Sequence, residues 1–173
     1  MCYRVTTLDY PQPKSILSGQ GSFLHGGRWN AIGSFRAVYG STTDTVAVAE
    51  SRANAEYAGM PYAVRAPRLL VAIEFDLGRV LDLTAAETGR LLGLNWDEFG
   101  GEDWRRMQEM GRESATQAFG RALVECGVSA LLTPSARVPK AVNVVYFPDN
   151  KKASDEARVC ESEKLDRIRG KMP

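Results

Sequence analysis

The chain has a single histidine, His25, and only three cysteines, Cys2, Cys126 and Cys160, which stand far apart. Zinc sites draw on Cys and His at close, repeated spacing, and no such spacing occurs here, so no metal is expected. An odd, isolated set of cysteines also builds no disulfide framework, which makes a reducing cytoplasm the expected compartment. No apolar run approaches the roughly 20 residues of a membrane-spanning helix. The first residues, MCYRVTTLDY, lack the basic-then-apolar pattern of a secretory signal. Charge of one sign is missing too. The 22 basic and 21 acidic residues leave a net charge of +1, which removes any electrostatic argument for direct nucleic-acid binding. There is no G-x-S-x-G elbow for a serine hydrolase and no Gly-Lys-Ser/Thr of a P-loop. Internal repeats and low-complexity segments are absent.

What is present is an ordinary globular composition over 173 residues, enough for one domain with a proper core. Strands are predicted over Cys2–Thr6, Ala37–Gly40, Leu69–Phe75, Val80–Leu83, Val128–Leu132 and Val142–Phe147. Ser18 to Ser22 reads as a flexible loop, and Pro61 and Pro67 enclose a linker. A helix is predicted from Asp44 to Tyr57, capped by Thr42 or Thr43, with Val46, Ala49, Ala53 and Tyr57 on its core face. Thr84 is expected to cap a second helix ending near Leu92, with Glu87 completing a capping box. A third runs from Arg112 to Cys126 on an apolar stripe of Ala115, Ala118, Phe119, Ala122 and Leu123. Asn95 to Gly111 reads as short helices or a lid. After Pro148 the charged tail has two readings, a helix capped at Ser154-Asp155-Glu156 or an edge strand over Arg158–Glu161. The mixture is α+β: central mixed or antiparallel strands flanked by helices.

Chemistry concentrates between His25 and Glu50. Arg28 stands in a Gly-Gly-Arg-Trp-Asn turn, where its guanidinium fork and exposed backbone N–H groups suit phosphate oxygens. Stacking on Trp29 or pairing with an acid is an equal reading of Arg28 taken alone. Tyr39 ends an apolar strand, where core packing is its natural fate. Glu50 stands on the shoulder of an apolar helical face. It is either solvated or a carboxylate facing a cleft, where it would stabilise the oxocarbenium-like state of ribosyl-bond cleavage. Ser135 follows a strand end, as a ligand contact or a turn closer. Asn143 opens a strand, and His25 abuts the glycine turn.

Together these pieces resemble the RES-domain family, named after its Arg, Glu and Ser. The likeness rests on Tyr3-Arg4-Val5, Gly26-Gly27-Arg28-Trp29-Asn30, Gly33, Val38-Tyr39-Gly40-Ser41, Ala47, Ala49-Glu50, Thr133-Pro134-Ser135 and Asn143. It covers residues 3 to 148. The resemblance implies a compact single domain like the ADP-ribosyltransferase fold, with a catalytic domain over residues 1–148. Residues 149–173 would be a charged tail, strand or helix, packed on the same domain. It implies a cytoplasmic bacterial toxin of a type II toxin–antitoxin pair that degrades NAD+ at the nicotinamide–ribose bond, with water or phosphate as acceptor. NAD+ would be substrate rather than cofactor. Two alternatives stay open, an ADP-ribosyltransferase modifying a cellular protein and a non-catalytic NAD-binding subunit. Val48 stands where an arginine-type transferase carries a second glutamate. By matching, Arg28 would hold the NAD phosphates or ribose, Tyr39 would flank the nicotinamide, and Glu50 would stabilise the ribosyl cation. Arg4, Gly27, Trp29, Asn30, Ser135, Asn143 and His25 would bind substrate or shape the pocket. Gly40 would loosen the hold on Tyr39. The implied partner is a helix-turn-helix antitoxin whose C-terminal segment blocks the active site, with a homodimer inside that complex.

Overall fold

In the strand Val142–Tyr146 and the residue after it, successive side chains enter opposite cores. Val144 and Tyr146 join a cluster with Cys2, Val38, Val71 and Ile73, whereas Val145 and Phe147 join one with Trp29, Phe35, Leu123 and Leu131. Two-residue alternation with both faces apolar marks a strand at the centre of a covered sheet. The computed structural model describes residues 1–59 and 68–169. The linker expected between Pro61 and Pro67 lies outside the described residues.

In chain order the elements are β1 (Cys2–Thr7), α1 (Pro13–Ile16), α2 (Gln20–His25), β2 (Val38–Ser41), α3 (Asp44–Tyr57), β3 (Arg68–Asp76) and β4 (Val80–Asp82). There follow α4 (Ala86–Leu92), α5 (Trp96–Gly101), α6 (Trp104–Glu109), α7 (Ala115–Glu125), β5 (Ala130–Pro134), β6 (Val142–Tyr146), β7 (Glu156–Val159) and α8 (Ser162–Arg169). The strands form one seven-stranded sheet in the order β4-β5-β6-β2-β1-β3-β7. The β4–β5 pair is parallel and every other pair antiparallel, so the sheet is mixed and the fold α+β, a single domain. Among the described residues no helix is long and apolar enough to cross a membrane.

Helix α3 starts and ends where its signals place it. Thr43 accepts a bond from Val46 N, and Asp44 complements the N-terminal dipole. Its buried face differs from the expected one. Val46, Ala47 and Ala55 are buried, whereas Tyr57 is exposed and bonds to Glu109 on α6. Thr84 caps no helix; its hydroxyl and N–H both donate to Asp82 Oδ1, and α4 begins at Ala86 without a side-chain cap. In α7 the cap is Ser114, in a reciprocal capping box with Gln117. Thr116, Gln117, Gly120 and Leu123 form its buried face, while Ala115 and Ala122 are exposed. Polar residues replace the expected alanines because Gln117 Nε2 has a buried acceptor, Gly27 O at 3.0 Å. Gly120 lies against the same turn: a Cβ there would sit 1.9 Å from Trp29 O.

Part of the expected loop at Ser18–Ser22 is helical, since Gln20 to Ser22 open α2. Six residues carry too little periodicity to be read in advance. Ser22 Oγ receives Ala37 N at 2.9 Å, which ties α2 to the entry of β2. In the tail the strand reading prevails, shifted to Glu156–Val159 and paired with β3 at the sheet edge. α8 follows, and its Leu165 joins the first core cluster.

Candidate active site

The glycine turn sorts its residues to opposite sides. Gly27 N donates to Asn30 O at 2.8 Å, leaving Arg28 and Trp29 at the tip. Trp29 is 1% exposed and packs among Trp96, Phe99 and Phe119, whereas Arg28 lines a cavity of about 510 Å3. That volume suits a small-molecule site, typically ~300–1,000 Å3. Tyr39 locks the turn: its hydroxyl receives Trp29 N at 3.0 Å and donates to Asn30 Oδ1 at 2.7 Å. Only glycine fits beneath it, because a Cβ on Gly27 would lie 2.4 Å from the Tyr39 oxygen. Burial pushes the Tyr39 phenol well above its ordinary value, so it is a neutral hydrogen-bond partner. Gly40 loosens nothing, since it is ladder-paired to Val144 and the Tyr39 hydroxyl is held on two sides.

Glu50 projects from α3 toward the ends of β5 and β6. Its Oε1 accepts Ser135 Oγ at 2.7 Å and Asn143 Nδ2 at 2.8 Å. Asn143 Oδ1 in turn accepts Ser41 Oγ at 2.7 Å, from the paired position on β2. Ser135 Oγ receives the N–H groups of Arg137 and Val138 at 3.1 and 3.0 Å, so its own proton is directed to the carboxylate. Among the described residues nothing donates to Glu50 Oε2. One carboxylate oxygen is therefore fixed by two donors and the other is uncommitted, in a residue that lines the cavity.

The remaining anticipated residues divide. Arg4 lines the cavity beside β2 and donates from Nη1 to Tyr39 O at 2.7 Å; its buried Nε has no partner among the described residues, and burial lowers its pKa. Arg28 Nη1 donates to Gly100 O at 2.6 Å. Burial lowers the Arg28 pKa as well, partly offset by the nearby Glu50 carboxylate. His25 lines the cavity as an exposed side chain, and its carbonyl receives Gln108 Nε2 at 3.2 Å. Trp29 and Asn30, expected as substrate contacts, also serve the framework, and of the two Trp29 is among the cavity's lining residues. The Trp29 indole is in the core, and the wholly buried Asn30 spends its amide on Ser22 O, Phe35 O and Tyr39. The cause is the turn geometry, which buries the two consecutive residues Trp29 and Asn30.

Several lining residues escaped the sequence reading: Ser41, Tyr57, Trp104, Arg105 and Arg137. The segment Asn95–Gly111 supplies α5 and α6: Trp104 and Arg105 of α6 line the cavity, while Gly100 O accepts from Arg28 and Gln108 donates to His25 O. Arg137 follows Ser135 by two residues, so the signal at that strand end extended further than the serine. Arg105 carried no signal, since nothing local places its short helix beside α3.

The RES domain model matches residues 1–167. The protein named NAD(+) phosphorylase MbcT in Mycobacterium tuberculosis H37Rv is 31% identical over 137 residues, covering 78% of this chain and 67% of that protein. The protein of the same name in Mycobacterium bovis matches to the same extent. Among solved structures, the M. tuberculosis MbcT–MbcA toxin–antitoxin complex superposes with a TM-score of 0.69 at 25% identity, over 98% of this chain and 88% of that one.

Proposed function

We infer the reaction from one premise: this chain belongs to the RES-domain family. It is an NAD+-degrading toxin that cleaves the nicotinamide–ribose bond and passes the ADP-ribosyl group to phosphate. The observation that carries this reading is the Glu50 carboxylate, held at Oε1 by Ser135 and Asn143 and uncommitted at Oε2, in a cavity lined by arginines.

As the C1′–N bond breaks, its electron pair moves onto the pyridinium nitrogen and neutralises the leaving nicotinamide. Positive charge develops on the ribose carbon and ring oxygen. A preorganised carboxylate stabilises that charge without reorganising at the moment of reaction. Ser135 and Asn143 fix its orientation, so Oε2 is set to accept a ribose hydroxyl or face the cation. Phosphate oxygen then bonds to C1′, giving ADP-ribose 1-phosphate. Arg28 holds the anionic portion of the substrate, and the Tyr39 ring flanks the nicotinamide.

By the same reading the chain works in the bacterial cytoplasm against a helix-turn-helix antitoxin. The antitoxin's C-terminal segment closes the cavity mouth, and a toxin homodimer assembles within the complex. The likeness to an NAD(+) phosphorylase supports the phosphate acceptor, and the toxin–antitoxin neighbour supports the partner.

The test is nicotinamide release from NAD+ by purified protein, with and without phosphate. Release that depends on phosphate and falls at least a hundredfold in Glu50→Ala is expected. No release by the parent protein, or equal release by Glu50→Ala, overturns the reading.

A further inference from the structure

Among the residues lining the cavity are four arginines, Arg4, Arg28, Arg105 and Arg137, against one carboxylate, Glu50. The chain as a whole is nearly neutral at +1, so positive charge is concentrated here. Elsewhere arginines find acids: Arg36 pairs with Asp149, Arg121 with Glu113, and Arg158 with Glu74. Among the described residues Arg28, Arg105 and Arg137 have no ion-pair partner within salt-bridge distance. Burial is the main cause lowering the pKa of both Arg28 and Arg105, and the nearby Arg137 charge lowers both further. The nearby Asp103 carboxylate is occupied as a helix cap, receiving the N–H groups of Arg105 and Arg106.

Arg105 is also preorganised. Its guanidinium lies 4.5 Å from the Tyr57 ring centroid and 4.3 Å from that of Trp104, and it donates to Asn54 Oδ1. Rings and amide hold it at the cavity while most of its five N–H donors stay free of protein partners. Arg137 is fixed through its backbone, because its N–H donates to the Ser135 hydroxyl that also serves Glu50. Like charges gathered without ion-pair partners, with Arg105 held in place beforehand, favour an anion carrying more than one negative charge.

We propose that Arg105 and Arg137, together with Arg28, form a diphosphate clamp that takes the ADP half of a dinucleotide substrate. The proposal deepens the NAD+ reading and rests on it for the identity of the dinucleotide. The clamp makes the diphosphate a specificity element, so that a nucleoside lacking phosphate is bound poorly.

Calorimetry on full-length Glu50→Gln protein, titrated with ADP, adenosine and inorganic phosphate, tests this without turnover. ADP should bind at least tenfold tighter than adenosine, with an advantage that shrinks as salt rises. Arg105→Gln and Arg137→Gln should each weaken ADP at least tenfold and leave adenosine unchanged. Arg137 is exposed, so its variant tests the clamp even where loss of the wedged Arg105 loosens the fold. Equal binding of ADP and adenosine, or ADP affinity unchanged in Arg137→Gln, overturns the proposal. So does phosphate binding as tightly as ADP with the same arginine dependence, which would assign the site to the acceptor. If ADP discrimination holds while the parent protein releases no nicotinamide, the proposed reaction falls and the clamp stands.

Discussion

Asn143 Nδ2 lies 2.8 Å from Glu50 Oε1, and the orientation of that amide is set by Ser41, whose hydroxyl donates to Asn143 Oδ1 at 2.7 Å. A flipped amide would turn its oxygen against the carboxylate and leave the serine proton without an acceptor. Ser41 therefore acts on Glu50 through Asn143, although it belongs to another strand. Hydrogen bonds to charged groups contribute ~1.5–3 kcal/mol, so Asn143→Ala should lower kcat for nicotinamide release about 10- to 100-fold with little change in KM. Ser41→Ala should cost several-fold in the parent and almost nothing in an Asn143→Ala background. A serine effect of equal size in both backgrounds would show that it does not pass through Asn143.

Tyr39→Phe separates architecture from ring contact. It keeps the aromatic ring but leaves the buried Asn30 without its tyrosine donor and Trp29 N without an acceptor. Loss of about 1–3 kcal/mol in urea unfolding is expected. Alkali gives a second readout. Burial raises the folded-state pKa above the ordinary 10.0, so this contribution is intact below about pH 10 and is lost as pH climbs beyond it. The phenylalanine variant should lose less stability between neutral pH and pH 11 than the parent. Parallel pH curves would remove the buried phenol from the account.

Much of this architecture was legible because local signals agreed with tertiary demands. The Thr43-Asp44 cap and the apolar run in β3 placed their elements to within a residue or two. The frame around Arg28, Glu50, Ser135 and Asn143 pointed to residues that the fold brings together, and three of those four are joined by hydrogen bonds. What stayed hidden depends on contacts distant in sequence. The inward face of α7 is polar because Gln117 serves Gly27, across 90 positions. The arginine wall exists because α6 lies beside the end of α3, where Arg105 meets Asn54 and Tyr57. No periodicity in either segment encodes that meeting.

Gly120→Ala tests how tightly α7 is pressed on the turn. The added carbon would stand 1.9 Å from Trp29 O, and backbone on both sides leaves no flexible side chain to yield. Overpacking of this kind costs ~3 kcal/mol or more. A large drop in Tm with parallel loss of activity is expected. A Tm unchanged within a degree would mean that α7 and the turn are further apart than this contact requires.

Asp155 shows how the tail is tied to the sheet, far from the cavity. Its Oδ1 receives Gly78 N at 2.9 Å, and its Oδ2 receives Lys152 N at 2.9 Å and Ser129 Oγ at 3.1 Å. The backbone donors from Lys152 and Gly78 hold its carboxyl below the ordinary 3.8. A folded-state pKa depressed below the unfolded value gives stability that is present above about pH 4 and is lost as pH falls through the folded value. Asp155→Asn should therefore be less stable than the parent at neutral pH, since an amide presents one acceptor where the carboxylate presents two. The gap should narrow as both are melted at successively lower pH down to 2. A gap independent of pH would mean that the aspartate acts through packing alone and its charge contributes nothing.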